Sequence, residues 1–135
     1  MRTYLGNKCI FMIDHVSVYV DDLDKAKKFY AELLKPLGYA LTADYAEYGV
    51  AGFEQGGKKD FWIGKKESAH NTHIAFAAAA KEAVDAFHAA ALSAGAADNG
   101  APGYRKDYAP GYYAAFVVDP FGNNIEAVFQ DPTIK

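Results

Sequence analysis

The sequence predicts an α+β fold of two βαβββ modules whose sheets line a shared cleft. Three observations carry that expectation. A strand-like alternation followed by helix-like spacing occurs twice, first from "MIDHVSVYV" and again from "HIAFA". One offset relates the copies: His15 to His73, Phe29 to Phe87 and Leu34 to Leu92 all differ by 58, and Gly38 to Gly95 by 57. After each helical stretch the chain breaks into short strands separated by turn residues. With only two copies, this is a duplicated module and not an open array.

Each element follows from local pattern. In Met12–Val20, Val16, Val18 and Val20 share one side and His15, Ser17 and Tyr19 the other, which is a half-buried strand. Asp21 and Asp22 can cap a helix carrying Leu23, Ala26, Phe29, Tyr30, Leu33 and Leu34 at helical spacing. Pro36 and Gly38 stop it. From Tyr39 to Lys65, Gly49, Gly52 and Gly56-Gly57 separate short strands that end in "DFWIGKK". His73–Ala77 restarts the pattern, and an Ala-rich helix with Val84, Phe87, Ala91 and Leu92 on one face ends at Gly95. The strands "YYAAFVV" and "NNIEAVF" close the second copy around the turn "DPFGN", in which Gly122 serves the turn.

Composition narrows the class. Of 135 residues, 51% are hydrophobic and 23% charged, a balance suited to a packed globular domain. The net charge of -3 leaves no basic field for a nucleic-acid backbone. No stretch approaches the roughly 20 apolar residues of a membrane span. Cys9 is the single cysteine, so neither an internal disulfide nor a Cys-rich zinc cage is available. These features point to a cytoplasmic domain occupying 12–130, with repeats at about 12–66 and 70–130 and a C-terminal tail at 131–135. Residues 1–11 read either as an N-terminal extension, with translation from Met12 sufficient for the domain, or as an added edge strand.

Chemistry-bearing residues fall on the faces that the helices leave uncovered. His15 and His73 occupy equivalent positions on the first strand of each copy, and Glu126 lies opposite Ile125, Ala127 and Phe129 on the last strand. Imidazole and carboxylate suit one divalent ion of iron, nickel, zinc or manganese, and three ligands leave positions open for substrate. A carboxylate in a strand interior needs a cationic partner, and the choice lies between a metal and Arg105. His70 and His88 fall on a polar loop and a helix, away from the cleft.

Tyr104, Tyr108, Tyr112 and Tyr113 crowd the segment "APGYRKDYAPGYY". With Tyr19 and Trp62 they would either wall a pocket for a planar ligand or pack as a loop or subunit interface. Arg105 and Lys106 are the cations at the cleft mouth. The charged helix face of Asp24, Lys25, Lys27, Lys28 and Glu32 reads as a solvated surface.

The segments "IDHVSVYVDDLDKAKKFY", "THIAF" and "DPFGNNIEAVF" together resemble the vicinal oxygen chelate superfamily, which contains glyoxalase I, extradiol dioxygenases, fosfomycin-resistance enzymes and bleomycin-resistance proteins. The resemblance runs from Met12 to about Gln130. It implies metal ligands at His15, His73 and Glu126. Glyoxalase I carries a further glutamate on the last strand of its first module, where this chain has Trp62, with Asp60 two residues away. Tryptophan neither ligates a metal nor abstracts a proton, so a three-ligand site is implied. Two functions follow. One is a metal-dependent enzyme of glyoxalase/dioxygenase type, a lyase or oxygenase, acting on a small molecule with vicinal oxygens. The other is a metal-free binding protein that sequesters its ligand as bleomycin-resistance proteins do. The resemblance also implies a homodimer, with the cleft formed within one chain or across two.

Overall fold

Asp22 starts the first helix as expected: its carboxylate accepts the backbone N–H of Lys25 at 3.0 Å, and α1 runs Leu23–Leu34. Its apolar positions, Leu23, Ala26, Phe29, Tyr30, Leu33 and Leu34, are all buried. A single 3₁₀ turn, Lys35–Leu37, ends at Gly38. The computed structural model describes residues 2–5, 8–11, 15–67 and 72–135. Met12–Asp14 and His70 therefore lie outside the described residues.

Two strands, β1 (Arg2–Leu5) and β2 (Lys8–Phe11), pair with each other antiparallel as a separate two-stranded sheet. They do not add an edge to either larger sheet. The first module consists of β3 (Val16–Val20), α1, β4 (Ala40–Tyr45), β5 (Val50–Gln55) and β6 (Lys58–Lys65). The second consists of β7 (His73–Ala77), α2 (Lys81–Ser93), β8 (Ala97–Tyr104), β9 (Tyr112–Val118) and β10 (Asn124–Gln130).

The strand orders β3-β6-β5-β4 and β7-β10-β9-β8 are the same pattern twice. In each sheet the first strand runs parallel to the last, Val16 beside Phe61 in one and His73 beside Asn124 in the other. The remaining pairings are antiparallel. The 58-residue offset is therefore a structural repeat.

One core serves both modules. Val18, Val20, Phe53, Phe61 and Ile63 from the first sheet join Val84, Phe87, Ala115, Val117, Ile125 and Ala127 from the second half in a single buried cluster. Aromatic edges cross between halves: the Phe76 ring lies 5.1 Å from Phe61 and 5.5 Å from Tyr39. A polar tie does the same, because the Tyr30 hydroxyl on α1 donates to Asp119 in the turn before β10. The helix-side faces of the two sheets are thus spent on each other and on α1 and α2, and the opposite faces are turned outward.

One local expectation changes, and one strand of the second module is placed that the sequence left unassigned. Leu92 does not share the packing face of α2: it is 40% exposed, whereas Val84, Phe87 and Ala91 are buried. Ala91 follows Phe87 by four and Val84 by seven, so it holds the stripe and Leu92 falls about 100° past it. Ala97–Tyr104 forms a strand although its Gly100, Pro102 and Gly103 argue against one. β8 is an edge strand with register shifts at Gly100, where interrupted pairing is tolerated.

Candidate functional site

β10 alternates about its axis, with Ile125 and Ala127 in the core and Glu126 on the outward face. Glu126 is nevertheless only 2% exposed. Its Oε1 lies 3.2 Å from Nε2 of His73. Its Oε2 accepts the hydroxyl of Tyr112, which comes from β9. Arg105 is not the partner of Glu126; His73 and Tyr112 take that place. Burial, and then the Glu126 carboxylate, push the Tyr112 phenol well above its ordinary pKa, so it stays a donor.

The imidazole of His73 is oriented by a backbone group. Its Nδ1 lies 3.1 Å from the Asn124 carbonyl oxygen, which can only accept, so Nδ1 carries the proton. Nε2 then faces a carboxylate oxygen at 3.2 Å, and a proton on Nε2 or a metal ion joins the two. A divalent ion fits: two donors about 2.1 Å from one ion at a right angle are about 3.0 Å apart. The Nδ1–carbonyl bond is also the usual outer support of a metal-ligating histidine.

Aromatic rings flank the pair, in which Glu126 is buried and the His73 side chain is half exposed. The Phe116 ring stacks beside His73 at 6.3 Å and 20° and meets Tyr108 edge-on at 6.4 Å. Tyr108 in turn lies 5.3 Å from Tyr112. Contacts from Phe116 through His73, Glu126, Tyr112 and Tyr108 thus close into a ring. Arg105 lies over Phe116 at 5.4 Å.

Phe116 was not singled out by the sequence, although a signal existed. In "YYAAFVV", Tyr112 and Phe116 share parity, and their cross-strand partners are Gln130 and Glu126. The same parity removes Tyr113 from the site. It points to the helix side, where its hydroxyl donates to Asp85 of α2 at 2.6 Å and its ring meets Tyr104 at 5.1 Å. Adjacent strand residues face opposite ways, so Tyr112 and Tyr113 cannot both line one pocket. His88 also serves structure: its Nε2 lies 3.0 Å from Asp98 Oδ1 on β8.

The Asp85 hydrogen bond, with burial second, pushes Tyr113 up to about 12. A phenol raised in the folded state stabilises fully below its unfolded pKa, about 10, and loses that contribution as pH rises through the folded value. The difference in Tm between wild type and Tyr113→Phe should therefore hold steady below about pH 9 and narrow toward pH 12. A difference that stays constant across that window rejects this assignment.

The first sheet presents a separate outward face. Trp62 is half-buried there and lies flat over Gly52, where a Cβ would come within 2.7 Å of the indole. Only glycine leaves that room. The Tyr45 ring lies parallel to the indole at 6.5 Å and 14°. Beside them, Lys66 Nζ sits 4.1 Å over the Tyr19 ring. Asp60 sits at the register shift of β6 and accepts the Tyr39 hydroxyl at 2.8 Å. His15, just before β3, is exposed.

Within one chain the expected constellation therefore divides. His73, Glu126, Tyr112, Tyr108 and Arg105 come together, whereas Tyr19 and Trp62 lie on the other sheet. Among the described residues no group of three His, Cys, Asp or Glu side chains is placed to hold one ion, so His15 does not join His73 and Glu126 in the same chain. No helix among the described residues is long and apolar enough to cross a membrane.

The profile of the Glyoxalase/Bleomycin resistance protein/Dioxygenase superfamily matches residues 12–127. A glyoxalase/bleomycin resistance protein from Albidiferax ferrireducens T118 is 32% identical, with a TM-score of 0.76 over 88% of this chain and 98% of that one. A glyoxalase/bleomycin resistance protein/dioxygenase family enzyme from Burkholderia phytofirmans PsJN is 20% identical, with a TM-score of 0.66 over 87% and 98%. A lactoylglutathione lyase from Agrobacterium tumefaciens is 19% identical, also with a TM-score of 0.66, over 87% and 92%. These two are likenesses of fold. No curated protein matches the chain.

Proposed function

The chain belongs to the glyoxalase/bleomycin resistance protein/dioxygenase superfamily, and on that premise we propose a metal-dependent enzyme, a lyase or oxygenase, acting on a small molecule with vicinal oxygens. The observation that supports it is the pairing of a nearly buried carboxylate with an imidazole nitrogen, Glu126 Oε1 and His73 Nε2 at 3.2 Å. One divalent ion, iron, nickel, zinc or manganese, would sit on these two atoms and supply Lewis acidity and a template for two neighbouring substrate oxygens. Tyr112 holds Glu126 Oε2, leaving Oε1 directed at His73. The Asn124 carbonyl fixes the imidazole tautomer. Phe116 and Tyr108 flank this polar centre, leaving the His73 edge open to a ligand.

The third ligand is His15 of a second copy, which makes the working unit a homodimer, in the cytoplasm. The outward aromatic face around Trp62 and Tyr19 would then cover the outward face around Glu126, and the cleft forms across two chains. Protein loaded with ferrous iron, nickel, zinc or manganese should bind one equivalent of at least one of them per chain. His73→Ala and Glu126→Ala should each weaken that binding by about 100-fold or more. Absence of stoichiometric binding of all four, or full retention by either variant, rejects the reading.

A second reading is supported by the indole seated on Gly52 beside Tyr45: a metal-free protein that sequesters a planar ligand. Aromatic-ligand affinity unchanged in the double variant His15→Ala/Glu126→Ala would favour it.

A further inference from the structure

The cations of this protein are not equally satisfied. Lys27 is bracketed by Asp24 at 3.1 Å and Asp44 at 3.2 Å, and Lys59 has Glu54 at 3.2 Å. Arg105 differs. Its guanidinium is pinned by neutral groups, Nη1 donating to the Gly103 carbonyl at 2.9 Å and Nη2 to the Ala101 carbonyl at 2.8 Å. Among the described residues no carboxylate pairs with it.

The pinning is built into the backbone. Gly100 holds φ +151, and a Cβ there would stand 3.0 Å from Arg105 Nη2 and 3.1 Å from the Phe116 ring. A side chain at this position would push the guanidinium off Phe116. The chain itself turns back at this residue, the Arg105 N–H donating to the Tyr112 carbonyl at 2.7 Å. The two carbonyls engage two of the five N–H donors of an arginine. What remains is a half-buried positive charge, fixed in orientation and not neutralised, in a chain whose net charge is -3.

Its position gives that charge a use. Phe116 is common ground: Arg105 lies over it, His73 stacks beside it and Tyr108 meets it edge-on. Arg105 is also close enough to Tyr112 to oppose the rise of its phenol pKa. A flat ligand lying against Phe116 and Tyr108 would reach the Glu126–His73 centre at one end and the guanidinium at the other.

Building on the placement of the ligand site above, we infer that Arg105 is an oxyanion receptor and that the ligand is a small planar acid whose carboxylate or phosphate docks on the guanidinium. The planar fork matches both groups bidentately. The ligand's charge selects it, and the rings set its plane.

Calorimetric titration of the full chain, without added metal, with benzoate, phenyl phosphate and neutral benzamide tests this. At least one oxyanion should bind saturably in the millimolar range or tighter, with benzamide at least tenfold weaker. The tighter of the two identifies carboxylate or phosphate as the docking group. Arg105→Met should lose at least tenfold, and Arg105→Lys should fall between, keeping charge without the fork. Benzamide matching the oxyanions, no saturable binding of either oxyanion, or a folded Met variant that binds as wild type does would each overturn the inference. The comparison on wild-type protein stands even if Arg105→Met unfolds. The titration is run without metal and reads oxyanion against amide, whereas the metal reading is judged by stoichiometric metal binding, so failure of the metal reading and failure of this one give different results.

Discussion

Replacing Asp119 with alanine should lower the unfolding free energy by about 3–5 kcal/mol, the largest loss expected from any single substitution outside the apolar core. Asp119 is 3% exposed and organises four donors. Its Oδ1 accepts the backbone N–H groups of Phe121 at 2.9 Å and Asn123 at 2.7 Å. Its Oδ2 accepts the Asn123 amide at 2.8 Å and the Tyr30 hydroxyl. Alanine would strand the buried Tyr30 and Asn123 donors, and each stranded donor carries its own desolvation cost. The Asn123 side chain also accepts the Thr72 N–H at 3.0 Å, so the disturbance reaches the start of β7.

Tyr30→Phe removes one of the four bonds and leaves the turn intact, so a loss of about 1–2 kcal/mol is expected. Tyr30 is fully buried, and burial, followed by the Asp119 charge, pushes its phenol pKa well above the ordinary value. It therefore remains a donor through the alkaline range. Urea denaturation of both variants measures the effect, and a loss below about 1 kcal/mol for Asp119→Ala would show that this network does not hold the halves together.

The second large effect is the rescue of metal binding by mixing two defective chains. Under the two-copy site proposed above, His15→Ala and Glu126→Ala proteins should each bind little metal alone. Unfolded together, refolded and loaded, they should recover about a quarter of the wild-type metal. Random pairing makes half of the dimers mixed. In each mixed dimer one site carries both alanines and the other carries neither. Full binding by His15→Ala alone would remove His15 from the ligand set. Loss in both variants without recovery on mixing would place the ligands in one chain and contradict the division seen here between His15 and the His73–Glu126 pair.

The periodic segments were legible because their information is local. Leu23, Ala26, Phe29, Tyr30, Leu33 and Leu34 are buried as their spacing requires, and Asp22 caps them. Glu126 was recognisable because a carboxylate flanked by Ile125 and Ala127 must leave the core side of its strand. β8 was not legible, because Gly100, Pro102 and Gly103 suppress strand propensity and only the neighbouring β9 recruits them. Tyr112 and Tyr113 look alike in composition, and strand parity separates them.

By itself, the sequence determined the duplication, the type of most elements and the face on which each polar residue stands. Those properties follow from periods of 3.6 and 2 within a single segment. Which face meets which was decided only in three dimensions. An apolar stripe specifies that it must be buried and leaves its partner open. Here the helix-side faces of both modules merged through Phe61, Phe76 and the Tyr30–Asp119 tie. That merger set the Trp62 face and the Glu126 face on different sheets, and so divided between two surfaces a constellation that the sequence presents as one.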